Sequence, residues 1–256
     1  MVTIKSAREI ELMKEAGRIT AYAHEMVRRA IKPGVSTYEL DKVAYDAIIS
    51  QGAIPSFLNY NGFPASICAS INEVVVHGIP NKKTILKNGD IISIDIGAIY
   101  HGYHGDAART HFVGEVKEEV KELVRVTKQS FFEGIKHAKP GNRLTDISHA
   151  IGAFAESHGY GVVRDFTGHG IGTHLHEDPA IFNFGEAGHG IELKKGMTLA
   201  IEPMITLGTY KVKVLSDGWT TKTLDNKPAA HFENTIVITE SGCEILTKYE
   251  GEKLDA

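Results

Sequence analysis

The sequence predicts an α/β fold of the α+β kind, with two helix pairs covering a curved antiparallel sheet. Three observations predict it. The segment Met13–Gly34 nearly returns at Val120–Gly141, where Lys14, Glu15, Arg18, Thr20, Lys32, Pro33 and Gly34 recur as Lys121, Glu122, Arg125, Thr127, Lys139, Pro140 and Gly141. The same offset of 107 residues lays Leu86–Asp95 on Leu193–Glu202, so that Gly89 meets Gly196 and Asp95 meets Glu202. Each copy then reads helix, helix, strand-rich stretch. A period this long is not a solenoid. It marks one duplicated unit with pseudo-two-fold symmetry. Each half alone would have a thin core, so positions 1–256 are expected to form one domain of two homologous halves, about 1–115 and 116–256.

The elements follow in order. Ser6-Ala7-Arg8-Glu9 is a capping box that opens a helix, closed by Lys32-Pro33-Gly34. In such a box the serine oxygen and the glutamate satisfy orphan backbone donors. Ser36-Thr37-Tyr38-Glu39 opens a second helix, which Gly52 ends. Helices near 116–137 and 144–158 repeat the plan. Strands are expected over Ser66–Val76, Ile91–Gly97, Tyr103–Phe112, Val162–Thr167, Thr198–Met204 and Phe232–Thr239, most of them rich in Ile, Val and Thr and bounded by Gly or Asn.

The bulk numbers exclude several classes. With 256 residues, 42% hydrophobic and 23% charged, the chain is of ordinary globular composition. A net charge of −4 gives no reason to expect nucleic-acid binding. No run approaches 18 apolar residues, and Met1–Lys14 has no apolar core of a signal peptide, so no membrane association is expected. Cys68 and Cys243 lack CxxC spacing and read as reduced thiols of a cytoplasmic protein.

The chemistry concentrates in a few segments. In DIGAIYHGYHGDAART, Asp95 and Asp106 flank a glycine-rich turn. A hairpin pairing 95 with 106 would put both carboxylates on one face, where they repel unless a cation lies between them. Taken alone, one acid could cap a turn and the other face solvent; the match of Asp95 to Glu202 favours the paired reading. In FTGHGIGTHLHEDP, His169 sits between two glycines, and His174 and His176 follow two apart. Neither HExxH nor HxxEH is present, which argues against a zinc site of that type. Glu202 in LAIEPM and Glu233 in HFENTIVIT interrupt strands apolar enough to be buried, with no basic residue expected in the neighbouring strands. A buried carboxylate without a partner is costly. Of the other histidines, His24, His101, His104, His137, His149, His158, His189 and His231 read as core or surface residues. Asp95, Asp106, Glu202, Glu233 and His169 thus form an oxygen-rich set suited to Mn, Fe(II), Co or Mg. Four carboxylates balance two divalent ions better than one, and two-metal sites commonly activate water for hydrolysis.

At these residues the chain closely resembles type I methionine aminopeptidases of the pita-bread fold. The resemblance runs through NEVVVHGIP, DIGAIYHGYHGDAART, FTGHGIGTHLHEDP, LAIEP and ENTIVIT, and covers essentially the whole chain. It implies two divalent ions (Co, Mn or Fe(II)), Asp95 and Asp106 binding one, and Asp106, His169, Glu202 and Glu233 binding the other, with Asp106 and Glu233 bridging. It implies that Glu202 shuttles a proton, that His77 and His176 contact substrate, and that His176 helps stabilise the tetrahedral intermediate. Tyr60, Phe63, Cys68 and Trp219 match the methionine pocket. Phe57 and Leu175 fall on pocket positions where other side chains are expected in some members. The implied activity is removal of the initiator methionine from nascent proteins with a small second residue, by a monomer, with Lys211, Lys213, Lys222 and Lys227 as a candidate ribosome contact. The stretch between His169 and Glu202 is too short for the type II insert, and the chain is expected to lack an N-terminal creatinase-like domain, which weakens an X-Pro aminopeptidase or prolidase reading. A metal-free pita-bread binding protein is the other alternative; it is opposed by competent ligands at all the matched positions.

Overall fold

In the computed structural model, which describes residues 2–249, two equivalent runs of helices and strands face one another. Position 1 and positions 250–256, which the whole-chain domain expectation includes, lie outside the described residues. The first run holds α1 (Ala7–Ala30), α2 (Thr37–Ser50), β1 (Ile54–Pro55), β2 (Ile67–Ile71), β3 (Val74–Val76), and the long hairpin β4 (Ile91–Tyr100) and β5 (Tyr103–Phe112). The second holds α3 (Glu118–Ile135), α4 (Leu144–Ser157), β6 (Gly161–Val162), β7 (Gly168–Gly170), β8 (Glu177–Ile181), β9 (Thr198–Ile201), β10 (Met204–Thr206), β11 (Val212–Val214), β12 (Thr221–Thr223), β13 (Ala229–His231), β14 (Asn234–Ile238) and β15 (Cys243–Ile245). The strands form antiparallel sheets in the orders β1-β4-β2 with β5 on β4, β13-β10-β6, β11-β12-β3 and β15-β14-β9-β7-β8.

Both capping boxes form. Ser6 Oγ accepts from Glu9 N–H, Glu9 accepts from Ser6 N–H, and Ser36 and Glu39 do the same. Such a cap contributes about 0.5–2 kcal/mol. The second half keeps only half of the device: Arg143 stands where Ser36 does in the first, and Asp146 Oδ2 accepts from its N–H at 2.8 Å. The duplication is visible in the hydrogen bonds themselves. Gly34 N–H donates to Leu86 O and Gly141 N–H to Leu193 O, while Ser36 bridges to Ile85 as Arg143 does to Glu192.

Period-2 alternation explains where the core sits. Ile92, Ile94 and Ile96 on β4 point to the helices and pack with Ile19, Val27, Leu40 and Ile48. In the second half Leu199, Ile201, Ile236 and Ile238 pack under Phe131, Ile147 and Ile151. The opposite face of the strands is thereby left for polar groups.

Several strand expectations need correcting. Ser66–Val76 is two strands, because Asn72 takes the left-handed conformation at φ 52° and turns the chain. Val162–Thr167 supplies only β6 before an irregular run that leads into β7. Thr198–Met204 breaks after Ile201, and Phe232–Thr239 begins only at Asn234, with β13 ahead of it. Both interruptions mark the places where the chain passes between the five-stranded sheet and the β13-β10-β6 sheet. Glu202 and Glu233 stand in those two gaps.

Candidate metal centre

The β4–β5 hairpin places the first two acids. Its register pairs Asp95 with Ala108 and Gly97 with Asp106, not Asp95 with Asp106. The turn decides this. His101 and Gly102 both have positive φ, at 46° and 84°, and close a two-residue turn between paired Tyr100 and Tyr103. Such a turn fixes the register of the whole hairpin. The two carboxylates still share a face, as diagonal neighbours. Gly97 opposite Asp106 leaves a space that a Cβ would fill at 2.7 Å from Ser56 Cβ and 2.9 Å from the Phe57 ring.

His169 lies on β7, between glycines that permit close strands. A Cβ on Gly168 would meet Ala200 O at 2.4 Å, and one on Gly170 would meet Asp178 O at 2.1 Å. The ring is thereby driven inward. Its Nδ1 lies 2.9 Å from Gly170 O, and its Nε2 is 3.8 Å from Asp106 Oδ2 and 3.6 Å from Glu202 Oε1. Asp106 is held by its backbone: its N–H donates to Thr235 Oγ1 at 3.0 Å, and the same hydroxyl donates back to Asp106 O at 2.9 Å.

The electrostatics are those of an uncompensated acid cluster. Burial, and after it the neighbouring carboxylates, push Asp95, Glu202 and Glu233 well above the usual carboxylate range. Burial pushes Asp106 up to about 7. Burial also keeps the imidazoles neutral, lowering His77 to about 4 and His169 and His231 to about 3. One expectation fails here. A basic residue does lie beside these strands: Arg109, buried on β5, donates Nη1–H to Glu233 O at 2.5 Å and Nη2–H to Asn234 Oδ1 at 2.7 Å. Its charge draws Glu233 down, but burial and three carboxylates outweigh it.

Asp95 Oδ1, Asp106 Oδ1 and Glu233 Oε1 are buried without hydrogen-bond partners. Orphaned carboxylate oxygens converging on one spot are what hard divalent cations satisfy. Asp106, His169 and Glu233 offer ligand atoms all within 4.8 Å of one another, and so do Glu202, His231 and Glu233.

A cavity of about 340 Å³ opens from this cluster, and all the site residues expected from the sequence line it. Phe57, Tyr60, Phe63, Cys68, Leu175 and Trp219 gather at the apolar end. Phe63 meets Trp219 edge-on at 5.2 Å. His77 sits at φ 59°, a sparsely populated conformation for a non-glycine residue, with its ring edge-on to Phe166 and Trp219. His176 stands at the mouth, its ring 4.2 Å from that of His169 and its Nδ1 2.7 Å from Tyr60 Oη. His174, two residues earlier, stays outside the cavity lining and near Thr173. Sequence reasoning missed Phe166 and Met204, which also line the cavity, and did not place His231 beside the acids. That ring is 1% exposed, with Nε2 at 3.6 Å from Glu202 Oε2 and 4.0 Å from Glu233 Oε2. Its position two residues before Glu233, in a strand leading to the site, was the available signal.

The metallopeptidase family M24 model matches residues 11–240. The chain belongs to this family. Within it, the chain is 56% identical to a methionine aminopeptidase of Clostridium acetobutylicum over 98% of this chain and all of that protein. It is 54% identical to methionine aminopeptidase 1 of Bacillus subtilis over 97% of this chain and all of that protein. Among solved structures, methionine aminopeptidase from Thermotoga maritima superposes with a TM-score of 0.96 at 50% identity, covering 97% of this chain and all of the other. Full-length matches of this kind do not favour the X-Pro peptidase alternative. The fold is the pita-bread fold of the family, and divalent metal use comes with membership.

Proposed function

We propose that this metallo-aminopeptidase removes the N-terminal methionine of nascent proteins whose second residue is small. The observation that carries the reading is one cavity with a carboxylate–imidazole cluster at one end and an apolar slot at the other. Two divalent ions suit the cluster: Asp95 and Asp106 would hold one, and Asp106, His169, Glu202 and Glu233 the other, with Asp106 and Glu233 shared. Co, Mn and Fe(II) all suit such oxygen-rich ligands. When bound, the ions supply positive charge that polarises the scissile carbonyl and lowers the pKa of water.

The chain's own residues supply the rest. Phe57, Tyr60, Phe63, Cys68, Leu175 and Trp219 bind the methionine side chain in the slot. His77 and His176 flank the scissile bond. His176 Nδ1 lies 2.7 Å from the Tyr60 hydroxyl; in the tautomer in which that hydroxyl donates, the proton of the neutral ring sits on Nε2, toward the cleft. That Nε2–H stabilises the oxyanion as the carbonyl carbon becomes tetrahedral. Glu202, whose pKa burial has raised, takes a proton from the attacking water and returns it to the leaving amine.

The whole chain acts as one catalytic domain of two homologous halves, about 1–115 and 116–256, and works as a monomer. No helix among the described residues is long and apolar enough to cross a membrane; a cytoplasmic site of action fits the substrate. Lys211, Lys213, Lys222 and Lys227 lie on or beside the β11–β12 ribbon, which also carries Trp219 at the cavity, and offer a contact to the ribosome. The reading is tested by incubating purified protein with Met-Ala-Ser and Leu-Ala-Ser peptides, with and without chelator and added Mn, Co or Fe(II). Metal-dependent release of methionine is expected. Release that survives exhaustive chelation, or equal rates on both peptides, would overturn it.

A further inference from the structure

We propose that His231 is a positioning residue for Glu202, donating Nε2–H to the carboxylate oxygen that faces away from His169. The inference rests on the reading that Glu202 moves the proton. Glu202 lies between two imidazoles. Its Oε1 is 3.6 Å from His169 Nε2, and its Oε2 is 3.6 Å from His231 Nε2. A carboxylate engaged through Oε1 alongside His169 leaves Oε2 turned to His231. The Nε2 of His231 is buried and has no hydrogen-bond partner. A buried donor beside a carboxylate oxygen closes the last few tenths of an ångström readily, because leaving it unpaired costs about 1–3 kcal/mol.

The backbone independently places His231 in the centre. Thr110 Oγ1 donates to His231 O at 2.9 Å and accepts from His231 N–H at 3.0 Å. Thr235 holds Asp106 in the same two-way manner. Between these clamps, Ala108 and Glu233 exchange backbone N–H···O bonds. Residues 106, 108 and 110 therefore face 235, 233 and 231, and the pseudo-two-fold that exchanges the halves carries Asp106 onto His231. The second half thus presents an imidazole where the first presents a carboxylate. His231 is absent from the cavity lining, so it touches no substrate and acts through Glu202. A long side chain with three torsions needs such a stop, since misplacement of a reacting group by about 1 Å costs on the order of 10²-fold in rate.

Two metal-loaded variants test this against wild type. His231→Leu keeps the volume and removes the donor; His231→Gln keeps a donor. The leucine variant is expected to lose roughly 10–100-fold in kcat on Met-Ala-Ser, with KM within about threefold and metal content unchanged. The glutamine variant should recover most of the rate. Nitrogen-15 NMR of histidine-labelled wild-type protein should show His231 as the Nε2–H tautomer, with a signal that moves in Glu202→Gln. An unchanged kcat in His231→Leu overturns the proposal, and so does loss of metal from it, which would make His231 a ligand. An Nδ1–H tautomer in wild type overturns it too, and keeps the question decidable if the leucine variant does not fold. Wild-type protein that releases no methionine would defeat the underlying reading instead, while the NMR result would still judge the contact.

Discussion

Tyr60 Oη lies 2.7 Å from His176 Nδ1, and the two rings tilt across one another at 5.3 Å. The contact joins the apolar slot to the edge of the carboxylate cluster. It also fixes which imidazole nitrogen is free to act. On the proposed oxyanion role of His176, His176→Ala should reduce kcat by roughly 10²–10³-fold with metal content intact. Tyr60→Phe removes only the orienting bond, worth about 1 kcal/mol and so about fivefold. Steady-state kinetics beside metal analysis checks both. Metal lost from His176→Ala would show that a ligand had been mistaken for a donor.

The carboxylate cluster predicts a pH-dependent response to metal. Asp106 is raised from 3.8 to about 7, and Asp95, Glu202 and Glu233 shift in the same direction. The metal-free fold therefore holds protons that the unfolded chain has released. Stability from the Asp106 proton is full below about pH 4 and is lost as pH rises through about 7, and the other three carboxylates act in the same direction. Cations need the deprotonated carboxylates and remove this loss. The neutral imidazoles oppose the fold only as pH falls below about 6.5, so a scan from about pH 6.5 to about pH 8 isolates the acids. The Tm gap between metal-loaded and chelated protein should widen across that scan. A constant gap by calorimetry would mean the acids are not titrating in the metal-free fold. Asp106→Ala, which would remove the proposed shared ligand, should leave almost no activity at any pH.

Thr235 clamps Asp106 through both of its backbone groups, at 3.0 and 2.9 Å. Thr235 is fully buried, so valine fits its volume and strands a donor and an acceptor. Each stranded group costs about 1–3 kcal/mol. Thr235→Val should therefore destabilise by about 2–6 kcal/mol in urea melts and weaken metal binding by titration calorimetry. Unchanged stability would show that water replaces the hydroxyl.

Much of this was legible in the sequence, for identifiable reasons. The duplication fixed the helix pairs, because α2 and α4 occupy positions 37–50 and 144–157 at the repeat offset. The set of four carboxylates and one imidazole was legible because carboxylates in apolar strands are costly without a purpose. What escaped is set by three-dimensional pairing. The register of Asp95 and Asp106 depends on a turn at His101-Gly102, a site that local alternation does not locate. The breaks at Glu202 and Glu233 arise where strands change sheets, and sheet partners are not written in period-2 patterns. His231 escaped because an isolated histidine usually needs no explanation; only its approach to Glu202 marks it.

The cavity itself makes the last prediction. Its apolar end is built from rings and a thiol: Phe57, Tyr60, Phe63, Cys68, Leu175 and Trp219. Such a slot selects by shape, and one methylene changes binding by only about 1–3 kcal/mol. N-terminal norleucine should substitute partly for methionine, and N-terminal Lys or Asp should be refused, because burying either charge there finds no partner. Beyond the scissile bond the space is bounded by His77, strained at φ 59° and wedged against Phe166 and Trp219, and by His176, tethered to Tyr60. Neither ring can step aside without leaving its contacts. Overpacking a rigid site costs about 1–3 kcal/mol, a factor of roughly 5–150 in rate. In a Met-X-Gly library, Gly, Ala, Ser, Cys, Thr, Pro and Val at X should be cleaved, and Leu, Phe, Lys and Glu should fall by at least that factor. Rates flat across X would mean that the two imidazoles do not confine the leaving residue.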